Sequence, residues 1–319
     1  MIKACVLNTR NRASSKPIGN MWYSNGMAAG GEAIAVLERG KNSVNFNAAA
    51  KAISKGYKVG FLCFGRASHR NPEYVDLIRF LRRKGMAVIL QQVHNLDRVP
   101  IASVKAIAAE ANALVTPVEA FADHFKRHGV NAFYFPNAVD VDNITKFKNR
   151  KKKVDIFIEL LSDKHGYSNH LKVIQSLPQH KFFSTIRPYR ESWLSNLNLI
   201  GRIPQADFYE RLCQARVACD LGGKQSFGRF AIECGLMGVP IIGFGSRDSQ
   251  KHVAPELTVS SPAEAIEKIK LLLSDQKVYN NACKDVLHNS VVFYGPKAWK
   301  RRYRRLLKSL FLEKGNSNG

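Results

Sequence analysis

The chain has 319 residues, with 49 Lys+Arg against 25 Asp+Glu and a formal charge of +24. Its length is about twice that of a typical single domain, and its 45% apolar content can fill two cores, which disfavours collagen-like, coiled-coil and disordered classes. The charge is evenly spread, 22 minus 10 over residues 1–150 and 27 minus 15 over residues 151–319, or +12 in each half. Such a balance points to a polyanionic partner: nucleic acid, an anionic membrane surface or an acidic glycan.

Taken from the N-terminus, short apolar runs alternate with amphipathic stretches, the pattern of parallel sheets covered by helices. Strands are predicted at Lys3 to Leu7, Lys58 to Phe64, Ala87 to Gln91, Ala113 to Thr116 and Ala132 to Phe135. Helices are predicted between them, at Val44 to Lys55, Glu73 to Lys84, Ile101 to Glu110 and Val118 to His128. Gly56, Gly85 and Gly129 follow three of these helices, where a left-handed cap is expected. The span Thr9 to Ser43 reads as one long glycine-rich, basic loop. Its Gly26-x-x-x-Gly30-Gly31 lies about 20 residues past the strand, the wrong place for a dinucleotide fingerprint.

A basic linker, with Lys146, Lys148, Arg150, Lys151, Lys152 and Lys153, is expected before the alternation restarts. The second half predicts strands at Val154 to Leu160, Lys181 to Thr185, Asn198 to Ile200, Val217 to Leu221 and Pro240 to Phe244. Its predicted helices are Tyr167 to Ser176, Ala206 to Gln214, Arg229 to Met237, Pro262 to Ser274, Gln276 to Val286 and Lys297 to Leu312. The expected organisation is a domain over residues 1–145, a second over 146–296, and a basic helix and tail over 297–319. Two doubly wound halves predict a ligand cleft at the carboxyl ends of the sheets. The six cysteines show no metal-ligand spacing and read as reduced core residues. With the early polar turn at Asn8-Thr9-Arg10 and no apolar run of membrane-spanning length, the expectation is a cytoplasmic protein, at most peripheral to a membrane.

The most specific segment runs from Leu221 through Gly222, Gly223, Lys224, Gln225, Ser226, Phe227 and Gly228 to Glu233, and on to Gly238-Val239-Pro240. A strand enters a Gly/Ser loop, a helix opens near Arg229, and Gly-Val-Pro closes it. Amides at such a loop and helix start have no partner within the helix and suit a sugar hydroxyl or a diphosphate.

This order resembles the retaining GT-B glycosyltransferases, the group of glycogen synthase-like and phosphatidylinositol mannosyltransferase-like enzymes. Leu114 to Glu119, Phe135-Pro-Asn-Ala-Val-Asp140 and Leu199-Ile-Gly201-Arg202 with Phe208-Tyr209 are similar to further family segments, so the likeness covers most of residues 85–290. The resemblance implies a GT-B fold, two Rossmann-like domains with a C-terminal helix crossing back to the first. It implies that Glu233 binds the nucleotide ribose, that Ser226, Phe227 and Gly228 offer backbone amides to the donor sugar, and that Lys164 holds the diphosphate. His94 stands where a family histidine contacts the donor sugar, and Gly40 where the family has a phosphate loop. Two departures stand out. Gln225 replaces the first motif glutamate, and Glu159 replaces the expected phosphate-binding arginine, which leaves Arg187 or Arg202 as substitutes.

The implied reaction is sugar transfer with retention from a UDP- or GDP-sugar, without metal or other cofactor. Paired carboxylates for glycoside hydrolysis are not evident. The first domain's cations Arg10, Arg12, Lys16 and Lys41 are candidates for the acceptor, best read as DNA carrying hydroxymethylated pyrimidines, of the kind phages glycosylate. Trp22 or Tyr23 would then stack on a flipped base. An envelope glycan or lipid acceptor, with peripheral membrane contact, and an inactive GT-B module that binds nucleic acid remain open alternatives.

Overall fold

In the computed structural model the described residues are 2–9, 28–29, 31–37, 44–64, 71, 73–92, 99–148, 151–159, 166–185, 194–201 and 203–311. The chain divides into two compact units, one made of Met1–Val139 with the chain from Pro296 onward, the other of Asp140–Gly295.

The first unit contains β1 (Ala4–Thr9), β2 (Ala33–Leu37), α1 (Phe46–Ser54), β3 (Val59–Phe64), α2 (Glu73–Arg83), β4 (Ala87–Gln92), α3 (Ile101–Glu110), β5 (Ala113–Thr116), α4 (Glu119–Arg127) and β6 (Ala132–Tyr134). Its strands form one parallel sheet in the order β2-β1-β3-β4-β5-β6. Every residue of β3 and β4 is buried, as expected of parallel strands covered on both faces. Alternate β3 side chains serve opposite layers. Leu62 and Phe64 join the core under α1 to α3, whereas Val59, Phe61 and Cys63 face the other side. Gly56, Gly85 and Gly129 have φ of 77°, 81° and 75°, the left-handed caps their positions predict. The expected loop Thr9 to Ser43 is corrected in part, because Ala33–Leu37 forms the edge strand β2 beside β1.

The second unit runs α5 (Val141–Thr145), β7 (Val154–Ile158), α6 (Tyr167–Ser176), β8 (Phe182–Ser184), β9 (Leu197–Leu199), α7 (Gln205–Leu212), β10 (Ala215–Asp220), α8 (Arg229–Leu236), β11 (Ile241–Phe244), α9 (Asp248–Val253), a 3-10 turn at Pro255–Leu257, β12 (Thr258–Val259), α10 (Pro262–Ser274) and α11 (Gln276–Tyr294). Its parallel sheet has the order β12-β11-β10-β7-β8-β9. The direction of winding reverses between β7 and β10, and in open α/β sheets a ligand crevice lies at the carboxyl end of such a switch point. α5 immediately precedes the expected linker, capped by Asp140 onto the Asn143 amide. α11 continues eight residues past the predicted end at Val286.

The last helix, α12 (Pro296–Phe311), belongs to the first unit. Trp299, Tyr303, Leu306, Leu307 and Leu310 pack with Ala4, Val6, Phe61, Ile89, Val115 and Phe135 on the sheet face opposite α1 to α3. The Tyr303 hydroxyl donates to the Ile2 carbonyl at 3.1 Å. All six cysteines are free, five of them buried, and burial pushes the Cys5 thiol up to about 12. No helix among the described residues is long and apolar enough to cross a membrane.

Candidate functional site

The second unit's switch point is built from the residue after β7, the end of β10 and the loop that follows it. Glu159 donates its amide to the Cys219 carbonyl at 3.0 Å, which keeps the chain beside β10 for one residue beyond the strand. Burial, and next the neighbouring Asp220 carboxylate, push the Glu159 carboxyl well above its ordinary range. α6 abuts the same edge, where the buried His170 accepts at Nε2 from the Leu221 amide at 2.7 Å. Burial holds this imidazole down to about 4, consistent with its acceptor role.

Asp220 is 4% exposed and Arg247 is 7% exposed, and their side chains pair directly. Arg247 Nε donates to Asp220 Oδ2 at 2.9 Å, while Nη1 donates to the Lys224 carbonyl at 3.0 Å and to the Ser226 hydroxyl at 2.7 Å. One guanidinium thus ties the strand end to the loop Gly222–Gly228. The backbone reinforces the tie. Ser226 N donates to the Ser246 carbonyl at 3.0 Å, Asp248 N to the Ser226 carbonyl at 2.8 Å and Ser249 N to the Phe227 carbonyl at 3.0 Å. The Ser246 hydroxyl reaches the Gly222 carbonyl at 2.7 Å, and the Ser249 hydroxyl donates to the Gly228 carbonyl. A Cβ at Gly222 would collide with the Arg247 guanidinium. Gly228 turns the chain into α8 with φ of 74°, a left-handed conformation that glycine adopts without steric cost.

This lacing decides which amides are left without an acceptor. Ser226 is corrected as an amide donor: its N–H is spent on Ser246 and its hydroxyl on Arg247. The amides of Phe227 and Gly228, at the start of the eight-residue α8, have no acceptor among the described residues. They stand at the positive end of the helix, where an anion or a polarised sugar oxygen is favoured. The Phe227 ring is buried and packs edge-on against Tyr294 at 5.9 Å. Gln225 is half-buried within the same loop.

Glu233, 6% exposed, sits one turn into α8 and is more constrained than the sequence implied. Its Oε1 accepts from the Tyr209 hydroxyl at 2.7 Å and pairs with Arg229 Nε at 2.7 Å. Arg229 also donates through Nη2 to the Tyr209 oxygen at 2.9 Å. This triad orients the carboxylate, and burial pushes the Tyr209 phenol well up so that it stays protonated as a donor. Arg247 and Asp220 were not singled out by the sequence pattern, and Tyr209 and Arg229 entered it only as parts of longer segments, without a role at the site. The one available signal was the i,i+4 spacing of Arg229 and Glu233.

His94, Lys164, Arg202, Gly40, Arg10, Arg12, Lys16 and Lys41 lie outside the described residues, as do Arg187, Trp22 and Tyr23. In the first unit the carboxyl edge holds buried neutral groups. Gln91 Nε2 donates to Asn137 Oδ1 at 3.1 Å, and Gln92 and Thr116 are buried nearby on β4 and β5. Among the described residues no group of three or more His, Cys, Asp or Glu side chains is arranged to hold a metal.

No family model matches the chain, and no curated protein matches it. Solved structures do. Sucrose-phosphate synthase from Thermosynechococcus elongatus is similar at TM-score 0.63 and 15% identity, over 89% of this chain and 84% of that one. A UDP-forming α,α-trehalose-phosphate synthase from Burkholderia xenovorans is similar at TM-score 0.60 and 12% identity, over 83% and 78%. A Listeria monocytogenes protein assigned as a UDP-N-acetylglucosamine 2-epimerase is similar at TM-score 0.57 and 11% identity, over 98% and 97%. At these identities the likeness concerns architecture, and with two parallel-sheet α/β units in the strand orders given above, the chain has the GT-B glycosyltransferase fold.

Proposed function

We propose that the protein is a glycosyltransferase that takes a sugar from a nucleotide-sugar donor at the carboxyl edge of its second sheet. The observation that carries this reading is the pair of Phe227 and Gly228 amides, left without an acceptor among the described residues in a loop that Arg247 pins to Asp220. Preorganised donors of this kind stabilise charge as a diphosphate leaves, because they need no reorganisation at the moment of reaction. In this reading the amides and Lys164 receive the phosphates, and Glu233, oriented by Tyr209 and Arg229, accepts from the ribose. Gln225 and His94 border the sugar, with Arg202 and Gly40 as further donor contacts. The sugar is transferred with retention and without a metal. The names of the similar structures, a sucrose-phosphate synthase and a UDP-forming trehalose-phosphate synthase, support a nucleotide-sugar donor.

The acceptor we propose is a hydroxymethylated pyrimidine in DNA. Its support is the charge of +24, far more than a nucleotide diphosphate requires. Arg10, Arg12, Lys16 and Lys41 would meet the phosphates, in the cytoplasm where a phage would act. A second reading, an epimerase acting on the nucleotide sugar itself, draws on the likeness over 98% of the chain to the Listeria protein.

Incubation with UDP- and GDP-sugars, alone and with hydroxymethylated DNA or lipid acceptors, followed by mass analysis, separates these readings. Sugar on DNA is the expected result. Sugar on lipid moves the acceptor, an altered donor without transfer establishes the epimerase, and no turnover with any pair leaves a binding module. Glu233→Ala is expected to weaken nucleotide-sugar binding about tenfold or more, the loss of a hydrogen bond to a charged group. Unchanged affinity would displace the donor site from α8.

A further inference from the structure

α12 has two faces of opposite character. Trp299, Tyr303, Leu306, Leu307 and Leu310 are at most 9% exposed and are spent on the first sheet. Lys297, Lys300, Arg301, Arg304, Arg305 and Lys308 are all exposed. Their spacing of i, i+3, i+4, i+7, i+8 and i+11 lays them along one continuous stripe, about 16 Å from end to end. The helix contains no acidic residue, and among the described residues none of the six is in an ion pair. Like charges at these spacings repel, so the stripe weakens the isolated helix and is relieved by an external polyanion.

The placement of α12 is equally specific. Trp299 packs edge-on against Phe135, the residue following β6, at 5.9 Å, while Tyr303 reaches the Ile2 carbonyl ahead of β1. The helix therefore starts at the carboxyl edge of the first sheet and descends toward its amino edge. Its positive N-terminal end adds to Lys297, Lys300 and Arg301 at the edge where open α/β sheets receive ligands.

A helix that docks on a membrane sinks its apolar face among the acyl chains. Here that face is buried except at its last residue, Phe311, which is 46% exposed, so charge is the main feature offered to a partner. Each strand of duplex DNA carries one charge per ~3.4 Å of axis, so a stripe of this length spans about five phosphates of one strand. The geometry points to the exposed face of α12 as a rail for the phosphate backbone of duplex DNA. This inference rests on the proposed DNA acceptor and names the surface that holds it.

The test is binding of the full chain to a short labelled DNA duplex, without donor, from ~50 to ~200 mM salt. Replacing Arg301, Arg304 and Arg305 together by Gln is expected to lower affinity at least tenfold and to flatten the log–log salt dependence by about 2.7, or ~0.9 for each phosphate no longer neutralised. The matching triple replacement by Lys should retain the slope. Neutralising the exposed Lys277 and Lys284 of the second unit should leave it unchanged. The inference is overturned by an unaltered slope in the Gln variant, by an equal loss in the Lys277/Lys284 control, or by tighter binding to phosphatidylglycerol vesicles than to DNA. Loss of DNA binding in the Gln variant without any sugar transfer by the parent chain keeps the rail and removes the acceptor reading. Transfer to DNA with an unaltered slope does the reverse.

Discussion

The two sheets share six parallel strands and a single reversal of winding, yet the polar groups at their carboxyl edges differ in kind. Among the described residues the first edge buries neutral amides and a hydroxyl, Gln91, Gln92, Asn137 and Thr116. The second buries charges in pairs, Asp220 with Arg247 and Glu233 with Arg229. A buried amide needs one or two hydrogen bonds, whereas a buried charge also needs a counter-charge. The second edge uses that requirement constructively: the partner that neutralises Asp220 is the group that holds the donor loop. Ion pairing, loop geometry and unpartnered amides are one structure there, and the first edge has no counterpart among its described residues.

Removing Asp220 tests this most severely. Asp220→Ala leaves the Arg247 guanidinium buried without its carboxylate, and a loss of about 3–5 kcal/mol is expected in chemical denaturation, together with loss of nucleotide-sugar binding. A variant as stable as the parent would mean that the pair is not what pins the loop. A second effect comes from pH. The unfolded chain protonates its histidine below about 6.5, but the buried His170 resists until about 4. Its folded value is the lower one, so stability is fully present above ~6.5, falls as pH drops toward 4, and loses on the order of 3 kcal/mol across that window. His170→Asn, which retains an acceptor for the Leu221 amide, should remove that part of the slope; an identical pH profile would assign it to other groups. At the neutral edge, Asn137→Ala leaves Gln91 Nε2 without its acceptor and should cost only about 1–3 kcal/mol. A loss as large as that of Asp220→Ala would erase the contrast between the two edges.

Element ends were legible wherever the signal is local. Ile101–Glu110, Tyr167–Ser176 and Pro262–Ser274 carry their own boundaries, and Ser261 caps the last of them onto the Glu264 amide. β2 was hidden because its apolar run, Ala33–Leu37, lies inside a glycine-rich, basic segment whose composition reads as loop. α9 was hidden because six residues, all polar or charged but Val253, are too few to display a helical period, although Ser249, Gln250 and Val253 are buried. The donor loop was legible from the order of its residues. Its stabilising partner was not, because Asp220 and Arg247 are 27 residues apart and no periodicity links them.

The sequence by itself determined the alternation of strands and helices, the glycine caps, the motif from Leu221 to Pro240 and the two-sided character of α12, since each depends on neighbours within a few turns of chain. Only the tertiary structure decided that the apolar face of α12 lies on the first sheet, that the Ser226 amide is consumed by Ser246 while those of Phe227 and Gly228 find no acceptor among the described residues, and that Arg247 supplies the buried cation beside Asp220. Those outcomes depend on which distant backbone passes alongside. Strand order and burial select that neighbour, and local propensity carries no record of it.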